Sequence, residues 1–492
     1  MQNGGAESER AMGEDRVAEG HPGGEFEVIV IGAGPAGEVA AGRLAERGKR
    51  VAIIERHLVG GECSFYACMP SKALLRPAEA LEEVRRVPGA AEAATGSLEV
   101  QAVLARRDEI IHNLNDESQL PWLGDRGIVL LRGDARLDGE RRVRVAGQLL
   151  HAAEAVVIAV GSGPLFPPIP GLADAHAWSN REITTASAVP RSLAVLGGGV
   201  TGVEMAQAWR WLGARVTVVE ALDRLIAREE PLAARELQEA MARDGIDVRL
   251  GSRASDVRRE DGMITISLES GDEVAAERLL VAIGRRPLTA GLGLETVGLE
   301  PGGPLEVDDH LRVPEHPWLY GIGDITARSL LTHSGKYEAR IAADNILGLD
   351  ALARTDGPGA PRVTFTRPQV AAVGTTLAGA LDAGRRADAI DIATSSTAGA
   401  SFVGREAPGT TRFVVDLDRE VLLGVTFIGA EVADFLQAAT IAVVGQVPLA
   451  QLAHAVAAFP TRSELWLNFI EAYESKHKVS LHEVRSRAPH PV

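Results

Sequence analysis

The 492-residue chain has little cysteine, no long apolar run, and fewer basic than acidic side chains. Its two cysteines are too few for a secreted domain held together by disulfides. No stretch of about 18 uncharged apolar residues is present, so we expect no transmembrane helix and no membrane partner. The net charge of −16 argues against nucleic acid or an anionic membrane surface as a partner.

The N-terminal segment is rich in Gly, Glu and Ala, and it lacks the apolar core of a signal peptide. We therefore expect residues 1–25 and 479–492 to be disordered tails, and we expect the protein to be cytoplasmic. In that compartment a disulfide is usually catalytic or redox-sensing. Cys63 and Cys68 stand five positions apart and are therefore candidate redox residues.

A largely apolar run, FEVIVI at residues 26–31, in which Glu27 is the one charged residue, predicts a buried parallel strand. A glycine motif with G-x-G-x-x-G spacing follows, then a helical stretch and a second strand that ends at Glu55. The motif consists of Gly32, Gly34 and Gly37. Glycines at this spacing allow a tight turn and let a pyrophosphate approach the helix N-terminus. An acidic residue about 20 positions later can bind a ribose hydroxyl, so the unit predicts a dinucleotide site.

The same pattern recurs at residues 192–220, where a second strand, glycine motif, helix and strand end at Glu220. The glycines of this motif are Gly197, Gly199 and Gly202. Two dinucleotide sites in one chain indicate a flavin, FAD, and a nicotinamide. Glu220 favours NAD over NADP because a carboxylate repels a 2′-phosphate, although Arg224 and Arg228 follow closely and leave NADP open.

Five further segments occur in a characteristic order. They are GGECSFYACMPSK at 60–72, AVGS at 159–162, VAIGRRP at 281–287, LYGIGDIT at 319–326 and FTRPQVAAVG at 365–374. Together with the two glycine motifs, they resemble the flavoprotein disulfide reductases, the group that includes lipoamide dehydrogenase, glutathione reductase and mercuric reductase. The resemblance extends over about residues 26–475.

The resemblance implies an α/β fold with two Rossmann-like dinucleotide-binding domains and an α+β C-terminal dimerisation domain. The FAD-binding domain would comprise residues 26–185 and 286–356, with the NAD-binding domain, residues 186–285, inserted between them. Residues 357–478 would form the dimerisation domain of a homodimer.

The resemblance also implies roles for individual residues. NADH would pass hydride to FAD, and the reduced flavin would open a Cys63–Cys68 disulfide. Cys68 would lie nearer the flavin, and Cys63 would attack the substrate. Lys72 would lie near the reactive edge of the flavin and pair with Glu204. The remaining cofactor contacts implied are Gly61, Ala135, Gly161, Gly284 and Asp324, the last on the flavin ribityl chain.

The spacing of the two cysteines constrains the local backbone. Positions five apart in a regular helix lie about 7.5 Å apart along its axis. A disulfide needs Cα atoms within about 7 Å of each other. Cys63 must therefore precede the regular helix, or the first turn must be distorted, and Pro70 is a candidate for bending the segment.

The chain departs from the family near its C-terminus. Members have His-Pro-Thr, followed by a Glu. This His comes from the partner chain of the dimer and is the general acid/base for thiol exchange, and the Glu orients it. Here the segment is FPTRSE, so Phe459 occupies the His position while Glu464 matches. A phenyl ring cannot move a proton, so lipoamide and glutathione disulfide are poor candidate substrates. Glu464 would then act alone, or only bind Arg462 or water.

Three residues are candidates to replace the missing base, namely His454, Tyr66 and His333, although a histidine on a partly apolar helix is more often structural. Glu62 is a second departure, because members usually have Thr or Ser before the first cysteine. The C-terminus also lacks the additional cysteines that mercuric reductases and large thioredoxin reductases use.

We therefore predict an NAD(P)H-dependent flavoprotein oxidoreductase that passes electrons through Cys63 and Cys68 to an unidentified small-molecule acceptor. Electrophiles, quinones, metals and unusual disulfides or thioethers are candidate acceptors, and no resident metal is expected. One alternative is a dihydrolipoamide dehydrogenase-type enzyme with a relocated base. The other is a flavin-bound redox sensor.

Overall fold

The computed structural model describes residues 24–357, 359–405 and 407–482. The tails predicted at residues 1–25 and 479–492 lie largely outside these ranges. Among the described residues, no helix combines the length and apolarity needed to cross a bilayer.

The described strands and helices alternate along most of the chain. The strands are β1 (Glu25–Ile31), β2 (Val51–Glu55), β3 (Val129–Arg132), β4 (Ala135–Leu137), β5 (Arg142–Val145), β6 (Gln148–Ile158), β7 (Ser162–Pro164), β8 (Ser192–Leu196), β9 (Arg215–Val219), β10 (Asp247–Arg249), β11 (Ala254–Glu260), β12 (Met263–Leu268), β13 (Glu273–Ala276), β14 (Arg278–Val281), β15 (Arg285–Pro287), β16 (Arg312–Val313), β17 (His316–Gly321), β18 (Arg362–Thr364), β19 (Gln369–Gly374), β20 (Ala387–Ala393), β21 (Thr410–Asp416) and β22 (Val421–Gly429). The helices are α1 (Pro35–Glu46), α2 (Gly61–Phe65), α3 (Cys68–Arg86), α4 (Val100–Ile110), α5 (Leu120–Asp125), α6 (Asn180–Thr185), α7 (Val200–Trp211), α8 (Pro231–Arg243), α9 (Thr332–Ile346), α10 (Leu377–Asp382), α11 (Leu436–Val444), α12 (Leu449–Leu452) and α13 (Leu465–His477).

The largest sheet has eight strands, six of them in the order β16-β17-β6-β1-β2-β3, with β5 and β4 attached beside β6. Strand β1 lies parallel to both β2 and β6, with Val28 opposite Val51 on one side and Ala155 on the other. Residues Val28 to Ile31 of β1 are buried on both faces, which explains why this part of the strand is apolar throughout rather than alternating.

The second parallel sheet has four strands in the order β10-β9-β8-β14. Helix α7 packs beside β8 and β9, and its Trp209 is fully buried. A three-stranded antiparallel sheet, β11-β12-β13, and a two-stranded connection, β15-β7, complete this part of the chain.

The C-terminal unit is a five-stranded antiparallel sheet in the order β18-β19-β22-β21-β20. Phe413 of this sheet stacks on Phe469 of α13, with ring centroids 4.2 Å apart. Several large apolar side chains stay exposed on the helices and loops of this unit, namely Ile441, Val444, Val456, Phe459 and Leu467. Two parallel-sheet units and an α+β unit confirm the predicted fold class, while the domain limits stay predictions.

Three arginines of the C-terminal unit pair with acidic residues at the two ends of α8. The pairs are Arg362–Glu229 at 2.6 Å, Arg412–Glu230 at 3.0 Å and Arg367–Asp244 at 2.5 Å. Glu229 and Glu230 are buried. The second parallel sheet is thereby joined to the C-terminal unit through α8.

Candidate active site

The two cysteines lie on separate helices. Cys63 belongs to the short helix α2, and Cys68 is the first residue of α3. The break between them is at Tyr66 and Ala67, where Ala67 has φ −135° and ψ −94°. Cys63 therefore precedes the regular helix, as the spacing requires. Pro70 is the third residue of α3, four positions after Tyr66, and that it helps to bend the segment stays a prediction.

A threonine hydroxyl contacts both sulfurs, which are not covalently bonded to each other. Thr332, the first residue of α9, donates through Oγ1 to Cys63 Sγ at 3.1 Å. The same oxygen lies 3.4 Å from Cys68 Sγ. Thr332 was not predicted from the sequence. The only indication was its place beside His333, shortly after LYGIGDIT at residues 319–326, the segment that resembles the second flavin motif of the family.

The surroundings give the two thiols different acidities. A hydrogen bond from Cys63 is the largest cause that lowers the pKa of Cys68 to about 6, with Thr332 and the charge of Lys72 acting in the same direction against burial. The pKa of Cys63 is raised, first because it donates to Cys68 and second because it is buried. In a singly ionised pair, the negative charge therefore lies on Cys68.

Lys72 is held in place by a buried carboxylate. Its Nζ lies 2.7 Å from Glu204 Oε2, and the ammonium also lies 4.6 Å from the centre of the Phe365 ring. The other oxygen of Glu204 accepts from the Phe365 backbone N–H at 2.8 Å. The predicted Lys72–Glu204 pair thus joins α3 to α7 and to the start of the C-terminal unit.

The first glycine loop has the shape that a dinucleotide needs. Gly32 has φ +104°, and a Cβ on Gly37 would lie 1.9 Å from the Gly32 carbonyl oxygen. A Cβ on Gly34 would meet nothing within 4 Å. Glu55 Oε2 accepts from the Ala33 N–H at 2.8 Å and so holds the loop. The packed glycines shape the turn, and Gly34 borders open space at the N-terminus of α1, which fits a pyrophosphate.

The second glycine loop repeats this arrangement. Gly197 has φ +110°, and a Cβ on Gly202 would lie 2.0 Å from the Gly197 carbonyl oxygen. A Cβ on Gly199 would be 4.0 Å from its nearest neighbour. Glu220 Oε2 accepts from the Gly198 N–H at 2.5 Å. The two loops therefore fit two dinucleotides held in the same way.

A single cleft of about 2170 Å³ brings most of the predicted residues together. Its lining includes Gly32, Gly34, Glu55, Gly61, Cys63, Cys68, Lys72, Ala135, Gly161, Gly197, Gly199, Glu204, Glu220, Gly284 and Asp324. Gly37 and Gly202 lie behind the two loops rather than in the cleft. Of the predicted site residues, only Glu464 belongs to a different region of the chain.

Glu62, the unexpected carboxylate before the first cysteine, has specific partners. Its oxygens accept from Asn180 Nδ2 at 2.7 Å and from Arg181 Nε at 2.6 Å, and Arg285 lies 4.0 Å away. Asn180 and Arg181 open helix α6, and they were not predicted from the sequence. The negative charge at position 62 is therefore compensated within the chain.

Asp324 is linked through Ser162 to Arg285, the arginine that also lies near Glu62. Its Oδ2 accepts from Ser162 Oγ at 2.5 Å, and Ser162 Oγ in turn accepts from Arg285 Nε at 2.7 Å. Burial raises the pKa of Asp324, against the lowering effects of Ser162 and Arg285. The second flavin motif is thus linked to the segment that carries the cysteines.

Glu464 has a structural role within its own chain. Its carboxylate accepts from the Thr461 N–H at 2.8 Å and from the backbone of Gly399 at 3.3 Å and Ala398 at 3.2 Å. Arg462 pairs with Glu431, 3.7 Å away, rather than with Glu464. The backbone contacts explain why this glutamate is present without an adjacent histidine.

The three candidate bases lie in different places. His333 and Tyr66 line the cleft, and the guanidinium of Arg181 lies 4.7 Å from the Tyr66 ring centre. His454 instead packs its ring edge-on against His482, with centroids 5.1 Å apart. Phe459 is 79% exposed and does not line the cleft of its own chain.

Among the described residues, no group of three or more His, Cys, Asp or Glu side chains could hold a metal ion.

Comparison with known proteins agrees with this geometry. The profile of the pyridine nucleotide-disulphide oxidoreductase family matches residues 26–343, and the profile of its dimerisation domain matches residues 360–468. The chain belongs to this family. The family profile covers both glycine loops and the cysteine segment, and the second profile supports a homodimer. This family member is accordingly an oxidoreductase that uses FAD and NAD(P)H.

Individual relatives are similar over most of their length. The chain is 32% identical to a dihydrolipoyl dehydrogenase from Thermus scotoductus over 466 residues, covering 93% of this chain and 98% of the relative. It is 33% identical to a mercuric reductase from Shigella flexneri over 444 residues, covering 87% of this chain and 78% of the relative. A solved Cu(II) complex of the flavoprotein disulfide reductase RclA from Escherichia coli shares the fold, with a TM-score of 0.81 and 23% identity over 91% of this chain and 99% of that chain.

Proposed function

We propose that this enzyme passes two electrons from NAD(P)H, by way of FAD, to the Cys63–Cys68 pair and then to a small-molecule acceptor. The observation that supports this proposal most is that both sulfurs, Lys72 and the open sides of both glycine loops line one cleft. Electrons can therefore pass from the nicotinamide to the flavin, and from the flavin to the two sulfurs, within this one cleft.

FAD, when bound, supplies the two-electron carrier between the nicotinamide and the disulfide. Adding two electrons and one proton to a disulfide breaks the S–S bond and yields one thiol and one thiolate. The surroundings decide which sulfur becomes the thiol and which the thiolate: Cys63 keeps the proton, and Cys68 carries the negative charge. Lys72 favours the charge on Cys68, and Glu204 fixes the position of Lys72.

Glu220 supports NADH as the preferred donor. Its carboxylate is held at the end of β9 by the Gly198 and Leu222 N–H groups, at 2.5 and 2.7 Å. A fixed negative charge at this point repels the 2′-phosphate of NADPH. Arg224 is directed to the Ala227 carbonyl oxygen at 3.0 Å, which reduces its availability for that phosphate.

Phe459 restricts the class of acceptor. A disulfide substrate releases a thiolate that a histidine at this position would protonate, and a phenyl ring cannot do so. Quinones, electrophiles and thiophilic metal ions do not release such a group, and two cysteine thiolates are suitable soft ligands for a metal substrate. The named mercuric reductase acts within that last class, but this chain lacks the additional C-terminal cysteines that such enzymes use.

A dihydrolipoamide dehydrogenase-type reaction is the second candidate. The Thermus scotoductus relative supports it, as does His333, which lines the cleft directly beside Thr332. Under this alternative, His333 would perform the proton transfer that Phe459 cannot perform.

An anaerobic reductive titration tests the proposal. One equivalent of NADH, or of NADPH in a parallel sample, is added to the oxidised FAD-loaded enzyme, which is then denatured in acid and assayed for thiols. We expect two new thiols per chain with NADH and slower reduction with NADPH. Bleached flavin without new thiols would refute the proposed electron path.

Acceptor assays then separate the candidates. Rapid NADH oxidation with quinone or metal ion, but not with lipoamide, supports the main proposal, and Cys63→Ser should abolish it. Lipoamide turnover that is lost in His333→Ala supports the second candidate. Two new thiols without turnover of any acceptor would favour a redox sensor.

A further inference from the structure

The carbonyl oxygen of Tyr66 lies at the break between α2 and α3, which separates Cys63 from Cys68. In an α-helix a carbonyl oxygen accepts from the N–H four positions later, and here that position is Pro70, which has no N–H. The Tyr66 oxygen instead accepts from Asn180 Nδ2 at 3.0 Å. A side chain of α6 thus supplies a hydrogen bond that the cysteine segment itself cannot supply.

The amide of Asn180 bridges the two sides of Cys63. Its Nδ2 carries two hydrogens, and it donates to Glu62 Oε2 at 2.7 Å as well as to the Tyr66 oxygen. These two acceptors lie one position before Cys63 and three positions after it. The Asn180 Oδ1 accepts from Arg285 Nη1 at 3.3 Å, and the side chain is buried. Both hydrogens and the oxygen of this amide are therefore engaged, which fixes its orientation.

Helix α6, which carries this amide, is held at both ends. At its start, Ser179 and Glu182 form a capping box. At its other end, Arg107 of α4 is fully buried and donates to the carbonyl oxygens of Thr184 and Ala186. The position of the bridging amide is therefore set by the fold around α6 rather than by the segment that the amide holds.

We propose that Asn180 is a positioning residue that keeps Cys63 and Cys68 in the arrangement in which they can form a disulfide. This inference rests on the proposed function, in which the pair alternates between disulfide and dithiol. The disulfide requires the break at Tyr66, because five positions of regular helix separate the two residues too far. The dithiol has no such requirement, so without the bridge its segment would gain conformational freedom.

The bridge therefore acts on the equilibrium between the two redox states. A freer dithiol segment loses more conformational entropy when the S–S bond closes, which lowers the effective concentration of one thiol at the other. Removing the Asn180 amide should accordingly favour the dithiol and make the reduction potential of the pair more positive.

The test measures this equilibrium directly. FAD-loaded enzyme is equilibrated anaerobically with mixtures of reduced and oxidised dithiothreitol, quenched in acid, and assayed for alkylated Cys63 and Cys68 by peptide mass spectrometry. In the exchange, the S–S bond of the enzyme breaks as the S–S bond of cyclic dithiothreitol forms. Two electrons pass to the enzyme, one thiol proton goes to Cys63, and the other is released to water because Cys68 carries the thiolate.

Asn180→Ala should shift the equilibrium toward the dithiol by about fivefold or more, which is about 20 mV toward a more positive potential. Thr185→Val is the matched control, because Thr185 Oγ1 donates within α6, to the Arg181 carbonyl oxygen at 2.7 Å, and its loss should leave the equilibrium unchanged. An equilibrium that is unchanged in Asn180→Ala, or that moves toward the disulfide, would overturn the inference. So would an equal shift in the control.

If Asn180→Ala fails to fold or to keep FAD, the comparison of Thr184→Val with Thr184→Ser decides. Thr184 Oγ1 lies 3.1 Å from the Tyr66 carbonyl oxygen and 2.8 Å from the Asn180 carbonyl oxygen, so its one proton is shared between them. The Val variant should shift the equilibrium toward the dithiol by about threefold, and the Ser variant should leave it unchanged. Equal equilibria in these two variants would overturn the inference.

The outcome is independent of the electron path from the nicotinamide. Because dithiothreitol sets the equilibrium here, a failure of NADH to reduce the pair would refute the proposed function without altering the comparison between variants.

Discussion

Gly34→Ala and Gly199→Ala form a matched pair of perturbations at the two dinucleotide loops. Both glycines are N-caps of the following helix, with φ −75° and ψ near 180°, which alanine adopts freely. An alanine Cβ at position 34 would have no protein atom within 4 Å, and one at position 199 would have only the Ala282 carbonyl oxygen, 4.0 Å away. Neither Cβ would therefore clash with the protein. A defect in either variant would therefore come from a bound ligand rather than from strain in the chain.

The expected magnitude follows from this geometry. Replacing glycine with alanine at an unstrained position leaves the free protein equally stable or stabilises it by about 0.4–1 kcal/mol. A methyl group in the space of a closely bound phosphate costs about 1–3 kcal/mol. That is a loss of about 5- to 150-fold in affinity. Gly34→Ala should lose FAD by this factor, whereas Gly199→Ala should keep FAD and raise the KM for NADH.

The assay combines three measurements on each variant: denaturant unfolding of the apoprotein, flavin content by visible absorbance after dialysis, and steady-state kinetics with added FAD. Gly37→Ala is a control of the opposite kind, because its Cβ would lie 1.9 Å from the Gly32 oxygen and should destabilise the apoprotein itself. The assignment of the loops would be refuted if Gly199→Ala lost FAD, or if Gly34→Ala affected only NADH.

Three further predictions concern residues outside the glycine loops. Phe459→His should raise the rate of NADH-linked lipoamide reduction at least about tenfold, since general acid–base catalysis contributes a factor of about 10²–10⁴. An unchanged rate would show that lipoamide is excluded for a reason other than the missing imidazole. Glu204→Gln removes the charge that faces Lys72 at 2.7 Å, and urea unfolding should show a loss of about 1–3 kcal/mol, whereas equal stability would mean that the pair is unimportant. Burial raises the pKa of Glu338 to about 8 from 4.5, so the folded chain keeps a proton that the unfolded chain releases. Stability should therefore fall as the pH rises from 5 to 8, with a slope of up to about 1.4 kcal/mol per pH unit, and a Glu338→Gln variant that keeps this slope would contradict the assignment.

Local patterns predicted much of this fold. Residues Val28 to Ile31 of β1 are buried on both faces, as predicted. The glycine spacing identified both loops in combination with the strand before each, the helix after it, and the second strand with its acidic end. The break between Cys63 and Cys68 was also predictable, since disulfide geometry and helix rise conflict at that spacing. The contribution of Pro70 to this break stays a prediction, because the place of a proline within a helix depends on where the helix starts.

Contacts between distant segments were not predictable in the same way. Thr332 lies more than 260 positions from the cysteines, and a lone threonine in a helix has many equally ordinary roles. The partners of Glu62 were missed for the same reason, because Asn180 and Arg181 belong to a helix that no sequence pattern relates to the cysteine segment. Such residues become visible only once the sheet and helix packing has placed the segments together.

The ion pairs between α8 and the C-terminal unit have a consequence for how the enzyme turns over. If the sheet that carries the second glycine loop moved away from the C-terminal unit, all three ion pairs would separate. Two of these pairs contain buried carboxylates, those of Glu229 and Glu230. Such a motion would be costly in every cycle. We therefore expect the second glycine loop to keep its place beside the C-terminal unit while the nicotinamide enters and leaves the cleft.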